Sequence, residues 1–503
     1  MNPLYDRLFG RHAGRNTPFL HLPDGGTLTH AGFLAAAARF AHVLDGAGLQ
    51  PGDRLAAQVE KSPQALALYA ACVQAGVVFL PLNTAYTRDE LSYFIENSGA
   101  KLVVADPAKA ADTRPMVMGL GARLMTLSAD GAGTLPEAAA DRPDTYPTVE
   151  RGEGDLAAFL YTSGTTGRSK GAMLTQANLL SNAEVLVDHW RFSVEDVLLH
   201  ALPIFHTHGL FVATNVMLLS GGAMIFLPRF DAGTLIAQLP RATALMGVPT
   251  FYTRLLDDPR FDRDLVQGMR LFISGSAPLL AETHVRFEER TGHRILERYG
   301  MTETNMNTSN PYEGERRPGT VGLPLPGVTL KITDPETGDP VRQGDVGQIE
   351  VRGPNVFKGY WQMPEKTAAE LRSDGFFVTG DLGTMDPDGY ITIVGRNKDL
   401  IISGGYNIYP KEVELVLDDQ PGVLESAVIG VPHPDFGETV LAVIVPEAGA
   451  TPDEAALMRA CEASLAKFKH PRRLVTLPEL PRNTMGKVQK AILRQDYARL
   501  FTG

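Results

Sequence analysis

The 503-residue chain is predicted to be an α/β protein. A large N-terminal region carries two doubly wound α/β subdomains and a small β-barrel, and a smaller α+β domain follows. Three observations predict this. First, short apolar runs suited to buried strands alternate with alanine- and leucine-rich helical segments through residues 28–290. Second, over residues 316–394 that alternation gives way to short strands and turns, at 320–322, 328–332, 347–352 and 390–394, the pattern of a small barrel. Third, after Gly395-Arg396-Asn397-Lys398-Asp399 the chain returns to mixed strands and helices for a length suited to a separate domain. The boundary is placed between 1–395 and 396–503.

Taken in order, residues 28–50 hold an alanine-rich helix closed by Gly46 or Gly48. A strand at 54–59, a helix from Ser62 to the glycine stop at Gly76, a strand at 77–82, a helix at 87–98 and a strand at 101–105 follow. Residues 107–150 turn polar and rich in proline and alanine, which reads as surface excursions. The apolar run 156–161 is a buried strand, and Thr175 caps a helix after the loop that follows it. A second alternating set comprises strands at 197–202, 223–226, 244–248 and 271–273, helices at 232–239 and 250–256, and a helix from Leu279. In the last domain a strand pair at 426–431 and 440–445 precedes a helix at 453–467 and a strand at 473–477.

The formal net charge is −11 with no long basic run, which disfavours nucleic acid as a partner. The two cysteines, Cys72 and Cys461, lie in apolar helical patterns and form neither a zinc nor a disulfide framework. The first nine residues lack a charged-then-apolar signal, and no apolar run approaches the roughly 18 residues that span a bilayer. A cytoplasmic protein without membrane contact is expected. An acidic protein that handles anions must concentrate its positive charge locally.

Such a place is Tyr161-Thr162-Ser163-Gly164-Thr165-Thr166-Gly167-Arg168-Ser169-Lys170-Gly171. Glycines let backbone N–H groups approach an anion, and the hydroxyls and Lys170 add donors and charge. The spacing is not that of a Walker loop, since Ser169 precedes Lys170 and Gly171 follows it. On this stretch alone, a flexible Ser/Thr/Gly connection is the alternative. Ser274-Gly275-Ser276-Ala277 follows a strand, where open α/β sheets bind ligands. In Glu297-Arg298-Tyr299-Gly300-Met301-Thr302-Glu303, Tyr299 offers a flat face to a purine, Thr302 a hydroxyl to a phosphate, and Glu303 a hard oxygen to Mg²⁺. Asp381, in Val378-Thr379-Gly380-Asp381, can accept two ribose hydroxyls or simply form a turn. His206 and His208 lie two apart without a third ligand at suitable spacing, so metal binding there is disfavoured.

The loop, with these motifs in this order over nearly the whole chain, resembles the acyl-adenylate-forming superfamily of acyl-CoA synthetases, peptide-synthetase adenylation domains and luciferases. The resemblance implies that Thr162, Ser163, Gly164, Thr165, Thr166, Gly167 and Lys170 hold the β- and γ-phosphates of ATP. It places Ser276 and Ala277 against adenine and gives nucleotide contacts to Glu297, Arg298, Tyr299, Gly300, Thr302, Asp381 and Arg396. It assigns Mg²⁺ to Glu303 and Thr162, and catalysis to Lys487, Thr302 and His206. Lys487 would bridge the substrate carboxylate and the α-phosphate. The C-terminal domain would then swing about Lys398 and bring Ser403-Gly404-Gly405-Tyr406 towards the acyl group for attack by coenzyme A. Lys469 and Arg473 are candidates for the CoA phosphates, with a solvated face as the alternative. The family also implies acetylation of the lysine matching Lys487, hence an acetyltransferase and a deacetylase as partners. A monomer or weak homodimer is expected.

Within that superfamily the pattern is most similar to malonyl-CoA and methylmalonyl-CoA synthetases. A dicarboxylate needs a second cation in its pocket, because a buried unpaired carboxylate is costly. Arg286 is assigned that part, with a surface ion pair to Glu282 or Glu289 as the alternative. Thr207, Met306 and Ser274 complete the expected acyl pocket. The alternatives are loading of a carrier protein, activation of a short or medium monocarboxylate, and a nucleotide-binding regulator that never turns over.

Overall fold

The computed structural model describes residues 1–162, 169–403, 406–483 and 486–501. Contacts divide the chain into two compact units, one of Met1–Thr329 with Val351–Phe377 and one of Leu330–Glu350 with the residues from Val378 onwards.

The first unit holds two sheets. In the six-stranded sheet the order is Arg123–Thr126, Leu102–Ala105, Arg54–Gln58, Val78–Pro81, Leu156–Thr162, Lys170–Thr175. The first five are parallel, and Leu102–Ala105 and Val78–Pro81 are buried at every residue. Strands covered on both faces read as continuous apolar runs, which is why these were visible in the sequence. Two elements depart from expectation. Residues 107–150 are not plain excursions: helix Pro107–Gly119, capped by Asp106, leads to the edge strand Arg123–Thr126 and then to helix Thr134–Ala139. The helix buries only Thr113 and Val117 and the edge strand only Thr126, so little apolar signal marked them. Lys170–Thr175 is a strand, antiparallel to Leu156–Thr162 with Thr162 opposite Lys170. The glycine loop therefore connects two strands, and the helix capped by Thr175 begins one strand later.

The nine-stranded sheet runs Leu323–Pro324, Asn305–Ser309, Leu296–Met301, Leu271–Ser274, Ala244–Gly247, Val197–His200, Ala223–Phe226, Pro18–His21, Thr27–Thr29. Its six central strands are parallel, so the ends of Val197–His200, Leu271–Ser274 and Leu296–Met301 share one edge. The expected strand at 320–322 is instead the approach to the short strand Leu323–Pro324, and the carbonyl of Val321 accepts from the Thr308 hydroxyl.

In the second unit the short strands anticipated as a barrel form a four-stranded sheet, ordered Thr329–Thr333, Gly347–Arg352, Phe377–Met385, Ile391–Arg396. A further sheet is built on the long antiparallel pair Val423–His433 and Gly437–Pro446. Alternate residues serve opposite faces: Val428, Val440, Ala442 and Ile444 pack with Leu417 and Cys461, while Ala427, Ile429, Leu441 and Val443 pack with Leu480 and Leu493. Both cysteines are free and buried, as expected.

His30 is buried at the start of helix His30–Gly46, with its ring 4.5 Å from that of His12. Burial, reinforced by the charge of His12, pushes its pKa down to about 4. The unfolded chain therefore binds a proton below pH 6.5 that the folded chain refuses. Stability should be full above pH 6.5 and fall by about 1.4 kcal/mol per pH unit from this group as pH drops towards 4. Urea denaturation across that window should show the slope, and His30→Phe should flatten it.

Candidate active site

Lys170 opens the strand that follows the glycine loop, and residues 358–361 add to that strand's free edge. Met173 N–H donates to Gly359 O, Lys358 N–H donates to Met173 O, and Trp361 N–H donates to Gly171 O. This pairing sets Tyr360 opposite Ala172, from where its side chain meets that of Lys170. The Lys170 ammonium lies 3.1 Å from the Tyr360 hydroxyl, 4.2 Å from the ring centroid and 3.3 Å from the Glu370 carboxylate. The same hydroxyl is 3.0 Å from Glu303 Oε1 and 2.7 Å from Glu370 Oε2. Glu303 is buried, and its carbonyl accepts from Phe357 N–H. Burial and the two neighbouring carboxylates hold the Tyr360 phenol far above its usual range, so it is neutral. A single buried carboxylate suits Mg²⁺, which takes one or two protein carboxylates and draws its other ligands from phosphates and water. Among the described residues there is no cluster of three or more His, Cys, Asp or Glu that could hold a metal. Thr162, the other residue assigned to the metal, is half-buried and directs its hydroxyl towards Lys170 O at 3.5 Å.

A second cluster forms at the carboxyl edge of the nine-stranded sheet. Thr207 and His208 are buried at the start of a π-helical turn, His208–Thr214. The wide turn leaves Gly209 O to accept from the Thr214 hydroxyl and the His200 ring, each at 2.9 Å. His206 is half-buried, with Nδ1 3.4 Å from His208 N. His208 Nδ1 is 3.1 Å from the Ser276 hydroxyl, and Ser276 occupies the left-handed region at φ +73°. Ser274 and Glu297 are register partners on neighbouring strands, and both are buried. Glu297 accepts from Leu279 N–H.

Next to Glu297 stands Arg298, 3% exposed. Its guanidinium lies against Gly275, where a Cβ would come within 2.4 Å of Cζ. Arg298 Nε and Nη2, Thr207 Oγ1, His208 Nε2 and Ser274 Oγ all lack a hydrogen-bond partner among the described residues. Burial lowers the Arg298 pKa to about 9, partly offset by Tyr252 and Glu297, so it remains a cation at neutral pH. Burial and the charge of Arg298 push His208 well below its ordinary range, so it is neutral. A dry cation with open donors is suited to receive an anion.

Arg286, the expected second cation, is elsewhere. The buried face of helix Ala281–Thr291 is Thr283, His284, Phe287 and Thr291. Arg286 falls on the opposite face, about half exposed and 3.8 Å from Glu282. The surface ion pair is what the structure contains. Met306 is buried, bonded through its backbone to the Asn182 side chain. Tyr299, Gly300, Thr302 and Ala277 are half-buried.

In the second unit, Asp381 is buried and paired with Arg396 at 2.9 Å, across the register of adjacent strands. Lys398 is exposed in the single turn Asn397–Asp399. Ser403 and Tyr406 face each other across a hairpin, and Tyr406 stacks on Phe468 at 4.6 Å. Lys469 pairs with Glu412, while Arg473 is exposed. Lys487 is half-buried in a turn closed by its N–H to the Asn483 side chain at 3.0 Å. Ser163, Gly164, Thr165, Thr166, Gly167, Gly404 and Gly405 lie outside the described residues.

Residues 10–361 match the AMP-binding enzyme family and residues 412–487 its C-terminal domain. The chain belongs to the AMP-binding enzyme family. The fold of this AMP-binding enzyme is similar to that of the ATP-bound MatB of Rhodopseudomonas palustris, with a TM-score of 0.98 and 57% identity over 100% of both chains. The chain is also 38% identical to a feruloyl-CoA synthase of Amycolatopsis sp, covering 94% of this chain and 95% of that protein. It is 37% identical to a mitochondrial malonate–CoA ligase of Mus musculus, covering 84% and 78%. Sequence reasoning missed Tyr360 and Glu370, which follow no recognisable chemical spacing, and gave Arg298 to the nucleotide. The signal for Arg298 was available: a lone arginine between the buried strand residues Leu296 and Glu297 and the half-buried Tyr299 must be dry.

Gly275→Ala should push the guanidinium from its seat and cost about 1–3 kcal/mol of stability by urea denaturation. An unchanged midpoint would mean that the cation is not held against Gly275.

Proposed function

We propose that this enzyme is an AMP-forming acyl-CoA synthetase that activates a small dicarboxylate, malonate or methylmalonate. The observation that carries the substrate class is the buried Arg298 guanidinium, two of whose nitrogens lack a hydrogen-bond partner among the described residues. A monocarboxylate spends its only charge at the reacting end. A second anionic group is needed to neutralise a cation held inside the protein. The likeness to malonate–CoA ligases and to MatB supports the same reading, whereas the feruloyl-CoA synthase, as similar as the malonate–CoA ligases though less so than MatB, presents the competing class, an aryl acid with no second carboxylate.

In this reading the substrate carboxylate attacks the α-phosphorus of ATP in line with departing pyrophosphate. The acyl-adenylate then reacts with the thiol of coenzyme A, and AMP leaves. Charge builds on the phosphoryl oxygens as two anions meet, so fixed cations and positioning supply the catalysis. Lys170 takes the terminal phosphates, Asp381 accepts from the ribose hydroxyls, Tyr299 covers the purine and Lys487 neutralises the α-phosphate. Glu303, with Thr162, would hold Mg²⁺, which supplies charge neutralisation on the leaving pyrophosphate. Arg298 grips the second carboxylate, and buried Met306 and Thr207 limit the room beside the α-carbon. Lys398 is the hinge, and Ser403 and Tyr406 serve the second step.

The test is a coupled assay of AMP release across malonate, methylmalonate, sulfoacetate, acetate, ferulate and a fatty acid, with free coenzyme A. Acids bearing a second anion should dominate, and a preference for ferulate or acetate would overturn the substrate class. Arg298→Leu should lower kcat/KM for malonate by roughly two to three orders of magnitude, the cost of stripping one partner from a buried pair, with little change for acetate. Lys487→Ala should abolish adenylate formation while leaving thioester formation from supplied acyl-adenylate largely intact. Equal loss of both steps would contradict its assignment to the first.

A further inference from the structure

The segment from Phe357 to Trp361 touches two places that the adenylation reading assigns to opposite charges. Phe357 N–H fixes the Glu303 carbonyl, and the backbone of residues 358–361 pairs with the strand begun by Lys170. Tyr360, 2% exposed, carries the link into side chains: its hydroxyl lies within hydrogen-bond distance of Lys170, Glu303 and Glu370 at once. A phenol has one proton and cannot donate to two carboxylates together. Its oxygen accepts from the ammonium, and its proton serves either Glu303 or Glu370. Glu370, the last residue of helix Pro364–Glu370, is also ion-paired to Lys366 at 2.7 Å. It therefore remains neutralised if Lys170 departs. The Lys170–Glu370 contact, at 3.3 Å, is the longer of the two and the one a competing anion would break.

Resting on the adenylation reading, we propose that Tyr360 is a positioning residue that sets Lys170 and Glu303 relative to each other. Glu370 is the resting anion of Lys170, exchanged for the polyphosphate of the nucleotide. On binding, the ammonium turns from Glu370 to a phosphate oxygen. Lys366 and the Tyr360 proton stay with Glu370, so its carboxylate is not left bare. The charge of Glu370 thus competes with the nucleotide, while the hydroxyl of Tyr360 assists it.

The two variants consequently act in opposite directions. Binding of a non-hydrolysable ATP analogue to the full-length protein is measured by titration calorimetry at fixed Mg²⁺, alongside thermal unfolding. Glu370→Gln should bind about threefold more tightly, in line with removal of a partly exposed competing ion pair. Tyr360→Phe keeps the ring over the ammonium and should bind about tenfold more weakly, the loss expected for a hydrogen bond to charged groups. Glu365→Gln, on the exposed first turn of the same helix, removes the same charge without touching Lys170 and should leave the affinity unchanged. Weaker binding in both site variants, in step with lowered thermal midpoints, would reduce the network to a structural role and overturn the proposal. So would equal tightening by Glu365→Gln and Glu370→Gln. The adenylation reading is judged separately by acid-dependent exchange of pyrophosphate into ATP in the unmodified protein; its absence with every acid would overturn that reading, whereas the analogue titrations still decide the exchange at Lys170.

Discussion

A cation inside a protein must be answered by an anion, and among the described residues the donors of Arg298 are not all answered. Its guanidinium is almost wholly buried, and two of its nitrogens lack partners among the described residues. The nearby Glu297 carboxylate, which also accepts from Leu279 N–H, lowers the cost through its charge. An unpaired buried charge costs several kcal/mol. Carrying that cost in the free protein makes sense where a ligand repays it. Gly275 is bare so that the guanidinium can lie against it, and His208 is neutral because it is buried and faces the same charge. In the proposed reading, acyl selectivity follows from this one group.

The opposite arrangement governs the phosphate side. There the cation is never bare: Lys170 rests on Tyr360 and Glu370, and Glu370 has Lys366 in reserve. A nucleotide can be exchanged at such a site without exposing a naked charge. The two clusters thus use burial differently, one to select a ligand by need and the other to hand over a ligand with little change in local charge.

The legible part of the sequence was the part dictated by backbone chemistry and burial on both faces. Val78–Pro81 and Leu102–Ala105 could only be interior strands, and Thr87 and Ser62 capped the helices they were expected to start. Half-covered elements were not legible. Arg123–Thr126 sits at a sheet edge with little apolar content, and the strand Lys170–Thr175 was hidden because Gly171, Lys170 and Thr175 look like loop residues until paired with Leu156–Thr162. Arg286 and Arg298 show the limit for side chains. Arg286 lies between Val285 and Phe287 and Arg298 between Glu297 and Tyr299, and only the helical phase of Ala281–Thr291 and the strand pairing of Leu296–Met301 decide which one turns inwards. Tyr360 and Glu370 were invisible for another reason: they lie about two hundred residues from Lys170, joined to it by strand pairing that no local pattern encodes.

The central claim is that the pocket is built for a second negative charge. It is tested most directly by comparing the affinities of two inert acyl-adenylate mimics, one with a malonyl and one with an acetyl group on the same non-hydrolysable linkage to adenosine. Since both carry the same nucleoside, the ratio isolates the far end of the acyl group. The malonyl compound should bind at least about a hundredfold more tightly, a difference of roughly 2.7 kcal/mol. Equal dissociation constants would contradict the account, because the buried guanidinium would then be indifferent to the anion it is held ready for.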